Sequence, residues 1–376
     1  MREIHLSSPD ITELEREAVL EVLNSRHLSL GPKMLEFEEK FARYIGTRHA
    51  IAVNSGTSGL HLCVKALGIS QGDQVITTPF SFVASANCLL YEGVIPVFVD
   101  IDPLTLNIDV DRIEAKITEK TRAILPVHVF GEPCDMNGVM ELAKKHKLHV
   151  IEDACEAVGA MYRGKKVGTF SDCGVFAFYP NKQMTTGEGG VIVTDNDEIA
   201  ELCRSLRNQG RSDRHEWLAH KRLGYNYRLS DINCALGTAQ LKRIFQLLSK
   251  RERVAGIYNA LLKDVSGLRL LHQSVETTRS WFVYVVLLDE QFSRLDRDTI
   301  LQGLKERGIG CSNYFPPIHL QPFYKTTFGY KKGDFPLTES VSERTIALPF
   351  YGNMEDADIH YVVDMLKLEF ERVRRL

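Results

Sequence analysis

The sequence predicts an α/β fold, with a large unit built on a mainly parallel sheet flanked by helices (residues 1–240) and a smaller C-terminal α+β unit (241–376). Three observations predict it. Between residues 74 and 152 short apolar runs alternate with helical segments, the pattern of successive strand–helix units. Those runs are nearly continuous in hydrophobic residues, as strands covered by helices on both faces are. A chain of 376 residues, 44% hydrophobic and 25% charged, can bury a core large enough for such a sheet and leave material for a second unit. Right-handed crossovers are expected, and functional side chains should gather at the carboxyl ends of the strands.

Taken in order, residues 10–24 read as an amphipathic helix, with Asp10 and Glu13 at capping-box spacing and Ile11, Leu14, Val19, Leu20 and Leu23 on one side. SLGPKM breaks it, and 34–45 repeat the helical period until Gly46 stops it. Residues 50–68 form a short strand, the turn Asn54-Ser55-Gly56-Thr57-Ser58-Gly59, and a helix closed by Gly68. Such a turn presents free N–H groups at the positive end of a helix, which suits a phosphate and serves equally as an ordinary Ser/Thr cap. Its spacing is neither the dinucleotide nor the P-loop pattern.

Strands at 74–78, 95–100, 123–128 and 148–153 then alternate with helices at 81–91, 109–117 and 135–146. Phe80 and Phe82 follow the first of these strands, where each is either a core ring or a cover for a flat aromatic ligand. Asp153 stands at the end of the last. A carboxylate there is costly to ionise unless it meets a cation or good donors, and its commonest plain use is a helix cap. Runs 173–178 and 190–194 read as buried strands joined by a tight loop, bounded by Pro180 and the Gly187/Gly189/Gly190 cluster. Lys182 sits on that loop. It is either an exposed loop cation or a desolvated amine poised as a nucleophile toward a carbonyl.

A helix at 195–207, a polar and basic loop at 208–228, and a long helix from Ser230 to about Leu262 lead toward the second unit. There follow a strand at 281–288, a helix at 296–307, a strand at 309–313, a Pro-rich loop at 316–322, and helices at 338–344 and 355–370.

Composition excludes several classes. With 46 Lys+Arg against 49 Asp+Glu, a formal charge of −3 supplies no general attraction for nucleic acid or an anionic membrane. The eight cysteines show no C-x-x-C and no zinc-ligand spacing, so no metal is expected and they read as core residues of a reducing compartment. The N-terminal MREIHLSSPD has no signal-peptide pattern, and no apolar stretch approaches the roughly 18 residues of a membrane span, so a cytoplasmic location is expected.

A glycine/hydroxyl turn at a helix start, a carboxylate at a strand end and a lysine on a later strand loop, in that order, resemble the fold type I pyridoxal-phosphate (PLP) enzymes. The wording is similar to the sugar aminotransferases called the DegT/DnrJ/StrS family: NSGTSGL at 54–60, EDACEAVGA at 152–160, FYPNKQMTTGEGG at 178–190, GYNYRLSDINCALGTAQL at 224–241 and NYFPPIHLQPFY at 313–324. These motifs are collinear over essentially the whole chain.

The resemblance implies that Lys182 forms a Schiff base with PLP and then moves a proton between the cofactor's C4′ carbon and the substrate carbon. It implies that Asp153 pairs with the pyridine nitrogen, that Gly56 and Thr57 cradle the phosphate, that Phe82 lies on the ring and that Glu156 faces the ring hydroxyl. Asn226 matches a residue offered across a dimer interface to the neighbour's phosphate, so a homodimer with shared active sites is expected. Tyr314 and His319 are candidates to touch a sugar nucleotide, with a plain structural role open for His319. One departure stands out: many relatives place a phosphate-binding serine five residues before the lysine, where this chain has Ala177. A hydrogen bond to a charged acceptor is worth about 1.5–3 kcal/mol, so weaker cofactor binding is expected unless other donors or a water fill in.

The implied activity is transfer of an amino group from an amino acid, with glutamate the expected donor, to a nucleotide-linked keto-sugar in polysaccharide (O-antigen) biosynthesis. The TTGEGG ending resembles members acting at C4 of 4-keto-6-deoxy sugars. Two alternatives are a PLP-dependent sugar dehydratase, whose relatives carry histidine in place of the lysine, and a PLP-binding regulatory protein without turnover.

Overall fold

Short apolar runs make short strands, and seven of them pair into one sheet in the computed structural model, which describes residues 3–211, 219–272 and 274–374. In chain order these are β1 (His49–Val53), β2 (Gln74–Thr77), β3 (Ile95–Phe98), β4 (Thr121–Ile124), β5 (His149–Asp153), β6 (Cys173–Ala177) and β7 (Gly190–Thr194). The spatial order is β1-β7-β6-β5-β4-β2-β3. From β3 through β6 every pairing is parallel, while β7 runs antiparallel to both β6 and β1. The mainly parallel sheet is therefore as expected, with one reversed strand. That reversal follows from the connection: parallel neighbours need a crossover of a dozen or more residues, usually helical, whereas β6 and β7 are joined by a non-helical return loop.

Helices cover both faces. α1 (Glu13–Leu23) and α2 (Pro32–Ile45) lead in, and α3 (Gly56–Ala66), α4 (Ala84–Leu90), α5 (Met136–His146) and α6 (Asp197–Arg207) follow. Four expectations are corrected. The capping box of α1 is Thr12/Glu15, with Glu15 accepting from the Thr12 N–H at 2.7 Å, because Asp10 is drawn instead to Arg243 and Lys250. The expected helix at 109–117 is two 3-10 turns, Val110–Arg112 and Glu114–Lys116, the first capped by Asp109, which accepts from Asp111 N–H at 3.2 Å. The long helix from Ser230 is two, α7 (Asp231–Lys242) and α8 (Ile244–Leu262), broken at Arg243, which bonds Asp10 at 2.9 Å and Glu15 at 2.8 Å. Residues 309–313 make isolated bridges from Ile309 and Ser312 rather than a strand. The third strand of the C-terminal antiparallel sheet is Thr345–Leu348, beside Tyr284–Leu288 and Leu268–Leu270. Residues 212–218 of the basic loop lie outside the described residues.

The largest core cluster joins Ile51, Val75 and Ile151 of the sheet to Phe282, Phe315 and Ala347, so apolar contacts cross position 240. Among the described residues no helix is long and apolar enough to cross a membrane.

The lead-in is locked to the sheet by charge. Arg207 of α6 and Glu38 of α2, both buried, form an ion pair. Between them Ala52 of β1 donates its N–H to Glu38 at 2.9 Å and accepts from Arg207 at 2.6 Å. Removing one partner of such a pair leaves a buried charge uncompensated. Glu38→Ala is expected to lower unfolding stability by about 3–5 kcal/mol in urea titration, and the double variant Glu38→Ala/Arg207→Met to recover part of the loss.

Candidate active site

The return loop after β6 is shaped by its own hydrogen bonds. Phe178 N–H reaches Gly189 O at 2.9 Å, Thr186 N–H reaches Phe178 O at 3.0 Å, and Lys182 N–H reaches Tyr179 O at 2.9 Å. The Lys182 side chain turns inward and is 13% exposed, which removes the reading of a solvated loop cation. Its amine lies 3.6 Å from Glu156 Oε1 and 3.9 Å from the centre of the Phe282 ring.

Period-two alternation along β5 sends its last two acids to opposite faces. Glu152 turns away and accepts from Gly168 N–H at 2.6 Å, Phe170 N–H at 2.9 Å and Ser171 Oγ at 2.7 Å, holding the approach to β6. His128 Nδ1 accepts from Cys134 N–H at 3.0 Å, so in the neutral ring Nε2 carries the hydrogen and donates to Glu152 at 3.2 Å. Burial opposes the Glu152 charge, but these bonds outweigh it and hold the carboxyl below its ordinary range. Asp153 faces the other way. Its Oδ2 accepts from Ser85 Oγ at 2.7 Å, Ser85 is bonded to Ser81 at 2.8 Å, and Oδ1 accepts from Cys155 N–H at 3.1 Å. No helix begins after Asp153, so it is not a helix cap.

Glu156 is buried beside Lys182, and its Oε2 accepts from Phe130 N–H at 3.0 Å. Burial pushes its carboxyl pKa up, and the Lys182 charge pulls it partly back. Phe130 is left-handed at φ 53°, and Gly131 follows at φ 77°, where a Cβ would sit 1.8 Å from Ser280 O. Only glycine passes there.

At the start of α3 the two readings of the hydroxyl turn coexist. Ser55 caps the helix by accepting from Ser58 N–H at 3.1 Å. Gly56 and Thr57 occupy the first turn, where backbone N–H groups have no intrahelical acceptor. A Cβ on Gly56 would come within 2.8 Å of both Ala177 Cβ and Cys155 Sγ, so the approach of this turn to the end of β6 also requires glycine.

These groups share one cavity of about 570 Å³. Gly56, Thr57, Asp153, Glu156 and Lys182 line it, with Phe82 and Tyr314. Phe82 is 61% exposed, an aromatic ring left free against a cavity rather than packed in the core. Burial raises the pKa of the Tyr314 hydroxyl. Helix-start donors, a carboxylate held by neutral donors and an amine in one pocket fit an aromatic group carrying a phosphate, a ring nitrogen and a carbonyl.

Two expected residues lie elsewhere. His319 is fully buried, bonded through Nε2 to Glu339 at 3.0 Å and packed edge-on against Phe335, in a cluster with Ala86 and Phe98, and it does not line the cavity. Asn226 is exposed and does not line the cavity of its own chain. It sits just outside, where Asn54 N–H donates to Tyr227 O at 2.9 Å. Sequence reasoning missed Ser81, Ser85 and Phe282. The two serines could have been found as an i,i+4 pair flanking the first turn of α4; Phe282, a hundred residues from Lys182, carried no signal.

Residues 9–367 match the DegT/DnrJ/EryC1/StrS aminotransferase family. The chain belongs to this family. It is an aminotransferase. It is 41% identical to the GDP-perosamine synthase of Caulobacter vibrioides over 367 residues, covering 96% of this chain and 97% of that one. Among solved structures, Helicobacter pylori PseC, an aminotransferase involved in the biosynthesis of pseudoaminic acid, superposes with a TM-score of 0.94 at 34% identity, covering 99% of this chain and all of that one. The PLP form of Spr1654 from Streptococcus pneumoniae superposes with the same score at 28% identity, covering 99% of this aminotransferase and 100% of that chain.

Proposed function

We propose that this aminotransferase uses PLP to move an amino group from an amino acid, glutamate by resemblance, to a nucleotide-linked keto-sugar. The observation that carries the reading is the inward-turned, mostly covered Lys182 amine facing Glu156, in one cavity with Asp153 and the first turn of α3. Likeness to a GDP-perosamine synthase supports a sugar-nucleotide acceptor, and the TTGEGG resemblance supports a 4-keto-6-deoxy sugar aminated at C4.

The N–H groups of Gly56 and Thr57, at the positive end of α3, would hold the phosphate. Phe82 would cover the ring face, and Glu156 would meet the ring hydroxyl. Asp153 would keep a proton on the ring nitrogen, while Ser85 and the Cys155 N–H hold the carboxylate in place. When bound, PLP supplies an electron sink for the carbanion formed on the substrate. Lys182 would hold the cofactor through its amine. When not so engaged, its Nζ would take the proton from the donor carbon and return one in the second half-reaction. The Phe282 ring beneath the amine limits the directions that Nζ can take. Asn226, exposed at the rim, would complete the phosphate cradle of a second copy, which makes the working unit a homodimer.

Purified holoenzyme is expected to be yellow, with a borohydride-reducible link that peptide mapping places on Lys182. The same adduct in Lys182→Ala would refute the assignment. Asp153→Asn, at saturating PLP, is expected to keep the fold and lose transamination by orders of magnitude; activity within a few-fold of wild type would remove the ring-nitrogen role. Ala177→Ser places a hydroxyl beside the α3 turn and is expected to tighten PLP by up to about tenfold, ~1.4 kcal/mol, with turnover unchanged once cofactor is saturating. Equilibrium titration of dialysed protein checks this, and equal affinity would mean the cradle is already complete.

A further inference from the structure

Arg251, in the first half of α8, is a buried cation. Among the described residues no carboxylate lies within ion-pairing distance of it. Asp10, whose field acts on it, is instead held by Arg243 at 2.9 Å and Lys250 at 2.6 Å. Burial lowers the guanidinium pKa to about 10. Taking a charge out of water without a counter-ion costs several kcal/mol, and an apolar side chain of similar volume is often the more stable choice. The presence of arginine here therefore calls for a reason beyond packing.

Its hydrogen bonds supply one. Nη2 donates to the carbonyl of Lys182 at 2.6 Å and to that of Asn181 at 3.2 Å, while Nη1 donates to the carbonyl of Phe282 at 3.1 Å. One planar fork thus grips the backbone root of the lysine and the backbone of the residue whose ring lies 3.9 Å from the lysine amine. The next residue, Gln183, fastens the loop on its other side: Nε2 donates to the carbonyl of Glu156 at 2.6 Å and to that of Ser280 at 3.0 Å. Root, ring and facing carboxylate are held in one frame, and only a rigid fork can span the first two.

We propose that Arg251 is a positioning residue that sets the direction of the Lys182 amine by tying the carbonyls of Lys182 and Phe282 together. The inference rests on the reading of Lys182 as the lysine that bonds the cofactor. Misplacement of a reacting group by about 1 Å can cost about 10²-fold in rate without touching substrate binding.

The test compares wild-type holoenzyme with Arg251→Met and Arg251→Lys at saturating PLP. Three readouts are taken: unfolding stability, the visible-region circular dichroism of bound cofactor, and kcat and KM for the amino donor in the first half-reaction. A purely structural arginine lowers stability and leaves the other two unchanged in the folded fraction. For Arg251→Met the positioning role predicts a weakened visible ellipticity and a kcat about 10²-fold lower, with KM within about threefold of wild type. Arg251→Lys should recover only part of both, since one ammonium cannot hold two diverging carbonyls. If Arg251→Met does not fold, Arg251→Lys carries the comparison alone. Wild-type ellipticity and kcat in the folded variant overturn the proposal. Wild-type enzyme without a reducible link at Lys182 overturns the reading of that lysine, and this inference with it.

Discussion

The reversal of the chain between β6 and β7 is the constraint on which the site depends. β6 lies parallel to β5, with Asp153 opposite Val175, so both strands deliver their carboxyl ends to the same edge of the sheet. A helical crossover after Ala177 would carry the next residues over the face of the sheet. The return loop instead keeps Lys182 at the edge, within reach of Glu156 just beyond the end of β5. The reversed strand then pairs with β1, and the turn that follows β1 opens α3 against the end of β6. Carboxylate, amine and helix start converge because β5, β6 and β1 end at one edge of the sheet, with β7 between the last two.

Three buried charges around β5 and the lysine loop are held by neutral hydrogen-bonding groups rather than by an opposite charge. Glu152 is held by two N–H groups, a hydroxyl and an imidazole, Asp153 by a hydroxyl and an N–H, and Arg251 by three carbonyls. Neutral donors stabilise a carboxylate without using up its charge, which leaves Asp153 able to meet a cationic partner. Glu156 differs, since burial raises its pKa and its one N–H bond, from Phe130, depends on a left-handed residue.

The C-terminal segments complete the site rather than merely pack beside it. Tyr314, Phe315 and Phe282 wall the cavity, and Arg251 joins the lysine loop to the strand that begins at Tyr284. A core cluster running from Ile51 to Ala347 makes this coupling stiff, because packed side chains transmit displacement.

What the sequence determined by itself was local in origin. Apolar runs and glycine breaks marked the seven strands of the main sheet, and residue type together with place in a motif singled out Lys182, Asp153, Glu156 and the Gly56–Thr57 turn. Where it misled, the competing interaction was distant in the chain. Asp10 left its expected cap for Arg243 and Lys250, and Arg243 interrupted one long helix by reaching back to the lead-in. Only the tertiary structure showed that the Lys182 amine lies over the Phe282 ring, that Asp153 meets Ser85 rather than capping a helix, and which cation grips the lysine loop. The physical reason is that a side chain's charge state and direction depend on the solvent it loses and the partners it gains, and those are set by segments the chain brings together only on folding.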